Sequence, residues 1–292
     1  MFEGTYTALV TPFSKGRLDR SSFQKLIRSQ AKGGVDGIVP VGTTGESPTL
    51  NTDEHLEIIA EAVKHAGKSL KVIAGTGGNS TNEAVHLTKG AERLGADASL
   101  QVSPYYNKPS QEGLFQHFRA VARATKLPII LYSIPGRCNV TIAVETVVRL
   151  KKACKNIVAI KEAGGDADRV SQLRNALGPK FTILSGDDAL TLPFMSVGAS
   201  GVISVASNLI PKEISRMVSQ YASGKHRAAL ATHDRLYPLF KALFIETNPV
   251  PIKTALALTG QVEPGFRLPL TPMSKENERL LKKALKDVKI KI

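Results

Sequence analysis

The sequence of 292 residues contains no tryptophan, only two cysteines and 5% aromatic residues. Cys138 and Cys154 are too few for a disulfide framework and lack the CxxC spacing of a metal site, so we expect a reducing, cytoplasmic environment. No apolar run approaches the ~18 to 20 residues of a membrane span, and the first three residues start neither a signal peptide nor a transit peptide. These absences exclude fibrous, disulfide-rich secreted, membrane-spanning and zinc-finger proteins.

The charge is unbalanced, because 39 Lys and Arg residues against 25 Asp and Glu residues give a formal net charge of +14. An excess of this kind can indicate a nucleic-acid binder. However, the densest basic stretch, residues 275–291, alternates with leucines at helical spacing and has no interleaved aromatic residues for base stacking. We therefore expect a solvated basic helix face, and neither a nucleic-acid nor a membrane partner.

Short β-branched, apolar runs alternate with amphipathic stretches from the start of the chain. Runs that are apolar at nearly every position are typical of parallel strands buried on both faces. The predicted strands are residues 6–10, 37–41, 71–74, 98–102, 129–132, 157–160, 182–184 and 201–205.

The predicted helices between these strands begin at capping Ser or Thr residues or end at glycines. They cover residues 21–31, 53–65, 81–94, 111–124, 143–152, 167–177, 189–197 and 211–222. Eight successive strand–helix units predict a closed (β/α)8 TIM barrel of the α/β class. An open, doubly wound sheet is disfavoured, since no GxGxxG fingerprint follows the first strand.

The strand pattern stops after residue 222. Residues 225–244, 250–259 and 274–288 have helical patterns, which prolines interrupt between them. The sequence therefore predicts a barrel catalytic domain over residues 1–222 and a helical C-terminal extension over residues 223–292. No low-complexity linker separates the two parts, so we expect them to pack together.

The carboxyl ends of barrel strands carry the active site in this fold, and the sixth strand ends in a lysine. Lys161 follows an apolar run, and the next residue, Glu162, should point the opposite way. Burial inside the barrel would lower the pKa of the Lys161 amine and leave a nucleophilic fraction near neutral pH. We therefore predict a lysine nucleophile, against the alternative of a lysine that reaches the barrel rim beside Glu162.

Three other strand ends carry groups suited to chemistry. The second is followed by GTTGES at 42–47, whose backbone N–H and hydroxyl groups can hold a small anion. The fourth ends in the pair Tyr105 and Tyr106. The fifth ends at Tyr132, a candidate proton shuttle, with Arg137 as a candidate carboxylate clamp. Taken singly, each also fits an ordinary turn or packing role.

A lysine nucleophile, a phenol and a threonine hydroxyl together indicate Schiff-base chemistry on a 2-oxo acid. No metal site competes with this prediction, because the six histidines are spread over predicted helices without ligand spacing. No GxSxG elbow is present and neither cysteine lies in a catalytic motif, which weakens a hydrolase interpretation.

Four motifs in this order resemble the dihydrodipicolinate synthase family of pyruvate-dependent class I aldolases: GTTGES at 42–47, SPYYNKP at 103–109, YSIPGR at 132–137 and IKEA at 160–163. The resemblance extends from GTYTALVTPF near the start, through GDDAL at 186–190 and GVISV at 201–205, to NPVPIK at 248–253. It implies condensation of pyruvate with L-aspartate 4-semialdehyde to 4-hydroxy-tetrahydrodipicolinate, in the diaminopimelate route to L-lysine. It also implies that no organic cofactor or catalytic metal is needed. Two positions depart from the family pattern, since Ser133 and Cys138 stand where Asn and Thr are common.

The same resemblance implies roles for the reacting groups. Lys161 is similar to the Schiff-base lysine, and Tyr132 to the proton donor and acceptor. Thr43 would link Tyr132 to Tyr106, and the tyrosine that matches Tyr106 comes from a neighbouring subunit in this family. A dimer would then be the smallest complete catalytic unit. The resemblance also implies a homotetramer, a dimer of dimers.

It also implies the binding residues. Thr44 resembles the residue that holds the pyruvate carboxylate, while Gly186 and Ile203 line the same pocket through their backbone. Arg137 resembles the clamp for the carboxylate of the semialdehyde, where its planar fork of donors suits a bidentate contact.

A second implied site would bind L-lysine as an inhibitor between subunits. The residues that match the lysine pocket of inhibited family members are Ser47, Pro48, His55, Asn79, Glu83 and Tyr105. Glu83 can pair with an ammonium group and Asn79 can accept hydrogen bonds. The alternative is that Asn79 and Glu83 serve only the helix start, where Ser80 and Glu83 would form a capping box.

Two other functions fit parts of the sequence. An N-acetylneuraminate lyase or a 2-keto-3-deoxy sugar acid aldolase would share GxxGE, the strand-end tyrosine and the Schiff-base lysine. Arg137 and the double tyrosine favour the synthase over both. A non-catalytic regulator or nucleic-acid binder would use the positive charge, but retention of the whole catalytic set argues against it.

Overall fold

The structure, a computed structural model, describes residues 2–292 and contains a closed barrel of eight parallel strands. Each strand pairs with its neighbours along the chain, and the last pairs with the first through Gly201 and Gly4. The strands are β1 (Gly4–Ala8), β2 (Gly37–Val39), β3 (Lys71–Gly75), β4 (Ala98–Val102), β5 (Ile129–Ser133), β6 (Ile157–Glu162), β7 (Thr182–Ser185) and β8 (Gly201–Ser204). The predicted (β/α)8 barrel is confirmed.

Eight helices connect or follow these strands. They are α1 (Arg20–Gly33), α2 (Thr52–Ala66), α3 (Thr81–Arg93), α4 (Gln111–Arg123), α5 (Val144–Ala153), α6 (Ala167–Leu177), α7 (Thr191–Ser196) and α8 (Pro211–Ala222). Side-chain caps start several of them, such as Asn51, which forms a capping box with Glu54 at α2. The apolar stripe of α4 is buried, since Leu114, Phe118 and Val121 have no exposed surface.

The chain after α8 forms α9 (His226–Ala242), α10 (Val250–Leu258) and α11 (Lys275–Asp287). α11 packs on α9 and α10 through buried Leu281 and Leu285, while Lys283 and Lys286 are exposed as the pattern predicts. The split into domains at 1–222 and 223–292 stays a prediction, although α8 does end at Ala222.

The main differences from the sequence prediction lie next to the carboxyl ends of strands. β2 ends at Val39 instead of residue 41, because the backbone of Val41 turns to a positive φ of 51°. β6 continues to Glu162, which pairs with Ser133 and Ser185 on its two neighbours. The pattern also missed a small hairpin of Phe13–Ser14 with Arg17–Leu18, and a short helix at Pro135–Cys138.

No helix within residues 2–292 combines the length and apolar character needed to cross a membrane.

Candidate active site

Lys161 lies at the carboxyl end of β6 with its side chain inside the barrel and only 6% exposed. It pairs in register with Tyr132 of β5, and its Nζ atom lies 4.2 Å from the centre of the Tyr132 ring. Two reactive groups from adjacent strands are thereby held side by side on rigid elements.

Burial decides the protonation state of this lysine. Removal from water lowers the pKa of the Lys161 amine to about 7; the nearby Asp188 carboxylate opposes the shift, and Arg137 adds to it. About half of the amine is therefore uncharged at pH 7, against roughly 0.03% for an ordinary lysine. Lys161 fits the predicted nucleophile and does not extend to the rim.

A glycine makes room for the lysine stem. A Cβ atom at Gly186 would lie 3.0 Å from Lys161 Cε and 2.6 Å from the Ala163 Cβ. Any side chain at Gly186 would therefore displace Lys161 or Ala163, which starts the loop after β6. Gly186 lines the pocket around Lys161, while its predicted backbone contact with the substrate stays a prediction.

Glu162 points away from the barrel interior, opposite to Lys161. It is fully buried and accepts a hydrogen bond of 2.8 Å from Arg169 Nε on α6. Burial raises the pKa of the Glu162 carboxyl, and Arg169 opposes that rise. Glu162 thus anchors the strand end to an outer helix and does not neutralise the lysine.

The turn after β2 is tightly built. Val41 has a positive φ of 51°, a conformation that costs a β-branched residue energy and is typical of functional sites. Thr43–Gly45 then forms a 3-10 turn, and Thr11 Oγ1 donates to the Gly45 carbonyl at 2.7 Å. A Cβ at Gly75 would lie 2.6 Å from the Val41 carbonyl oxygen, so β3 needs glycine there to pass the turn.

This turn brings the two threonines to the lysine. Thr43 hydrogen-bonds to the Tyr132 side chain, whose pKa is raised mainly by burial, so the phenol is protonated at neutral pH. Thr44 Oγ1 accepts a hydrogen bond of 2.9 Å from Asn248 Nδ2. Arg137 Nη2 donates to the Asn248 backbone carbonyl at 3.1 Å.

Asp188 is a site residue to which the sequence analysis gave no role. It is 1% exposed and accepts hydrogen bonds from Ser204 Oγ at 2.5 Å and from the Val205 and Ala206 amides at 3.0 Å each. Burial raises the pKa of Asp188 to about 6, and these hydrogen bonds oppose the rise. Asp188 ties β8 to the loop after β7, beside the fully buried Ile203. An acidic residue in GDDAL, directly after a strand end, was the available signal.

A cavity of about 200 Å³ adjoins the pocket around Lys161. The cavity and the pocket share Thr43, Tyr132 and Arg137 in their walls. The pocket is lined also by Thr44, Lys161, Gly186, Phe244 and Asn248. At one end of the barrel the structure thus groups six of the eight predicted catalytic and binding residues around this pocket, whereas Ile203 is fully buried on β8 and is not part of the pocket wall.

Tyr106 also lies outside this group. Its side chain is 90% exposed and its φ is 72°, so within this chain it projects away from the lysine. Nothing among residues 2–292 brings its hydroxyl to Thr43.

The residues predicted to bind the inhibitor L-lysine are only partly brought together by the structure. Ser47, Pro48 and Tyr105 line the cavity, and burial raises the pKa of Tyr105 with a further contribution from Glu83. Ser80 Oγ accepts from the Glu83 N–H at 3.4 Å, but within the described chain no reciprocal bond closes a capping box, and Glu83 Oε2 lies over Gly78 instead.

His55 and Asn79 are held by other contacts. The ring of His55 is buried in α2 and hydrogen-bonded at 2.7 Å to the Gly75 carbonyl, and burial lowers its pKa. The Asn79 carbonyl accepts a hydrogen bond from Asn107 Nδ2 at 2.9 Å.

An amine of lowered pKa beside a phenol, inside a (β/α)8 barrel, defines the Schiff-base-forming class of aldolases. The model of the dihydrodipicolinate synthetase family matches residues 1–288, and the chain belongs to this family. A 4-hydroxy-tetrahydrodipicolinate synthase of Sulfurihydrogenibium sp. (strain YO3AOP1) is 54% identical over 287 residues, which cover 98% of each chain.

Solved structures agree with this assignment. The 4-hydroxy-tetrahydrodipicolinate synthase from Methylacidiphilum fumariolicum SolV superposes with a TM-score of 0.98 at 57% identity, covering 99% of this chain and 96% of that one. The structure of the dihydrodipicolinate synthase from Cyanidioschyzon merolae with lysine bound has a TM-score of 0.95 at 44% identity, with 98% of both chains covered.

Proposed function

We propose that this enzyme condenses pyruvate with L-aspartate 4-semialdehyde to give 4-hydroxy-tetrahydrodipicolinate and water, in the diaminopimelate route to L-lysine. The observation that carries the proposal is the buried Lys161 amine beside Tyr132, in a chain that is 54% identical to a synthase of this name. The sugar acid aldolases and N-acetylneuraminate lyase are not favoured by these comparisons.

The first step uses Lys161 as nucleophile. Its uncharged amine adds to the C2 carbonyl of pyruvate, and loss of water gives an imine. The protonated imine draws electrons from the neighbouring methyl group, which then loses a proton to form an enamine. Thr44, at the edge of the pocket, would hold the carboxylate of pyruvate during these steps.

Tyr132 would move the protons. Its protonated phenol can give a proton to the departing hydroxyl of the carbinolamine and then accept one from the methyl group. Thr43, which hydrogen-bonds to it, would pass these protons outward. Both groups come from structurally rigid parts of the barrel, which favours catalysis by orientation.

The second substrate would bind through Arg137. Its guanidinium suits the semialdehyde carboxylate, and the enamine carbon would attack the aldehyde carbon, whose oxygen takes up a proton. The substrate's own amine then attacks C2, releases the Lys161 amine and closes the six-membered ring. Lys161 is regenerated without a redox change.

We propose that Tyr106 completes a neighbouring subunit's relay and that the enzyme is a homotetramer built as a dimer of dimers. The 90% exposure of a tyrosine held at positive φ supports an intermolecular role. An exposed aromatic side chain on a stiff, proline-containing loop is suited to burial in a partner.

We also propose that L-lysine inhibits the enzyme at Ser47, Pro48, His55, Asn79, Glu83 and Tyr105. The support is a carboxylate at Glu83 that is not used by a capping box, a tyrosine at the cavity wall, and a lysine-bound relative. Tyr105 precedes Tyr106 in sequence, so ordering of this loop would couple lysine to catalysis.

The decisive experiment is an assay of pyruvate with L-aspartate 4-semialdehyde, compared with cleavage of sialic acid and of a 2-keto-3-deoxy sugar acid. We expect turnover only in the condensation. Cleavage of either sugar acid at a comparable kcat/KM would instead support an aldolase of the same superfamily.

A further inference from the structure

Asn248 contacts both side chains that are proposed to hold carboxylates. It lies in the loop just before α10, outside the barrel proper, with 5% exposure. Its side-chain Nδ2 donates to Thr44 Oγ1 at 2.9 Å, and its backbone carbonyl accepts from Arg137 Nη2 at 3.1 Å. The same residue lines the pocket around Lys161.

The hydrogen bond from Asn248 determines whether the Thr44 hydroxyl is free to donate its proton. A threonine hydroxyl has one proton to donate and two lone pairs to accept. Because Asn248 occupies a lone pair, the Thr44 proton is left for a different acceptor. In the pocket of a 2-oxo acid enzyme, the acceptor that requires this proton is the substrate carboxylate.

The other end of the Asn248 amide has no such partner. Its Oδ1 atom is buried and makes no hydrogen bond to any residue from 2 to 292. A buried acceptor without a partner lowers stability. Local packing therefore does not explain why an amide stands at this position. The hydrogen bond from its Nδ2 group to Thr44 does.

A second contact holds the loop of Asn248 on the same turn. Lys253 of α10 forms an ion pair with Glu46, directly after the Thr43–Gly45 turn, and both side chains are fully buried. The turn is thus held at Thr44 by Asn248 and at Glu46 by Lys253. The loop of Asn248 and the turn of Thr44 are therefore joined at two points.

We propose that Asn248 is a positioning residue that directs the Thr44 hydroxyl toward the carboxylate of pyruvate. The C-terminal extension then takes part in substrate recognition, although the lysine and the phenol belong to the barrel. This proposal rests on the proposed function, because it assumes that pyruvate forms an imine with Lys161.

The test measures imine formation with pyruvate, by borohydride trapping, as a function of pyruvate concentration. In Asn248→Ala, the concentration for half-maximal trapping should rise about 5- to 10-fold, which is the loss of one neutral hydrogen bond. The maximal rate should stay within about threefold, and so should the KM for the semialdehyde, because the backbone carbonyl that holds Arg137 remains.

The isosteric variant Asn248→Asp separates positioning from packing. Its carboxylate would accept the Thr44 proton and repel the carboxylate of pyruvate, so pyruvate binding should be weaker than in Asn248→Ala. If Asn248→Ala does not fold, the pyruvate binding of Asn248→Asp is sufficient to test the proposal. Binding by Asn248→Asp as tight as in the wild type would overturn the proposal.

A double-mutant cycle adds a readout that a structural role would not move. In a Thr44→Val background, Asn248→Ala should cause no further loss of pyruvate binding, because the shared hydrogen bond is already absent. Losses that multiply would mean that Asn248 acts independently of Thr44, and would overturn the proposal.

Asn156→Ala provides the matched control. Asn156 lies just before β6, at the opposite end of that strand from Lys161, and its Nδ2 donates to the carbonyls of Ala122, Thr125 and Leu127. We expect a lower Tm without a change in pyruvate concentration dependence. A lower Tm with unchanged pyruvate dependence in Asn248→Ala would overturn the proposal that Asn248 positions Thr44. If pyruvate does not trap the wild-type enzyme, the proposed function is overturned instead.

Discussion

The Lys161 Nζ atom lies 4.2 Å from the centre of the Tyr132 ring, because these residues are register partners on adjacent barrel strands. Both residues are part of the strands themselves, so strand pairing fixes the separation of their side chains. Burial lowers the pKa of Lys161 and raises the pKa of Tyr132. Both shifts favour the uncharged form, which is the free amine of Lys161 and the protonated phenol of Tyr132. A nucleophile and a proton donor are thus present together at neutral pH.

The pKa of Lys161, about 7, predicts the pH dependence of imine formation. The reactive form is the free amine, so at low pyruvate the rate should increase about tenfold per pH unit below pH 7 and level off above it. Trapping with cyanoborohydride, followed by mass spectrometry of the peptide that holds Lys161, measures this rate. A rate that keeps rising to pH 10 would show an ordinary lysine, and labelling of Lys161→Ala would exclude this residue as the nucleophile.

Arg137 should serve the semialdehyde and leave pyruvate unaffected. Arg137→Ala removes a charged, bidentate donor and should lower kcat/KM for the semialdehyde by roughly 30- to 1000-fold, or ~2 to 4 kcal/mol. Arg137→Lys keeps the charge without the planar fork and should recover only part of the loss. Borohydride trapping by pyruvate alone is the control, and its equal loss in Arg137→Ala would show that the arginine is structural.

The sequence predicted the barrel because its signal is repeated eight times and most of the strands are apolar at nearly every position. It also located Lys161, since a lysine after a buried strand has few structural explanations. It did not reveal the contact of Asn248 with Thr44, which joins residues 204 positions apart. Val41 was also missed, because a positive φ at a β-branched residue opposes local propensity and is imposed by the surrounding packing.

The buried ion pair of Lys253 with Glu46 should be costly to break from one side. Lys253→Met would leave the Glu46 carboxylate buried, with the Arg267 amide as a remaining donor, and should lower the free energy of unfolding by about 3 to 5 kcal/mol. Glu46→Gln added to Lys253→Met should restore part of this loss, since the uncompensated charge is removed.

Lys282→Met is the matched control for that measurement. Lys282 pairs with Glu278 on the surface of α11, with side chains 41% and 35% exposed. Its loss should change the unfolding free energy by less than about 1 kcal/mol, measured by urea denaturation at one pH. Equal effects of the two lysine variants would contradict the importance of the buried pair.

Complementation tests whether Tyr106 works in a neighbouring subunit. Tyr106→Ala and Lys161→Ala should each be nearly inactive alone. In a mixed dimer, one site receives both substitutions and the other receives neither, so mixing the unfolded variants and refolding them should restore up to about a quarter of the wild-type activity. No recovery, in mixtures shown by native mass spectrometry to contain mixed oligomers, would place Tyr106 in its own subunit's site or outside catalysis.

L-Lysine should inhibit the enzyme partially, through a coupling of ~1 to 3 kcal/mol between its site and the catalytic centre. The ammonium group of the ligand would pair with Glu83, whose negative charge contributes to the raised pKa of Tyr105 at the cavity wall. Glu83→Ala should abolish inhibition and leave kcat for the condensation unchanged within about twofold. Glu112→Ala is the control, because that exposed glutamate pairs with Arg149 and Gln116 on the outer surface. Inhibition that persists in Glu83→Ala would move the site elsewhere, and full activity at millimolar L-lysine would show that this enzyme has no such site.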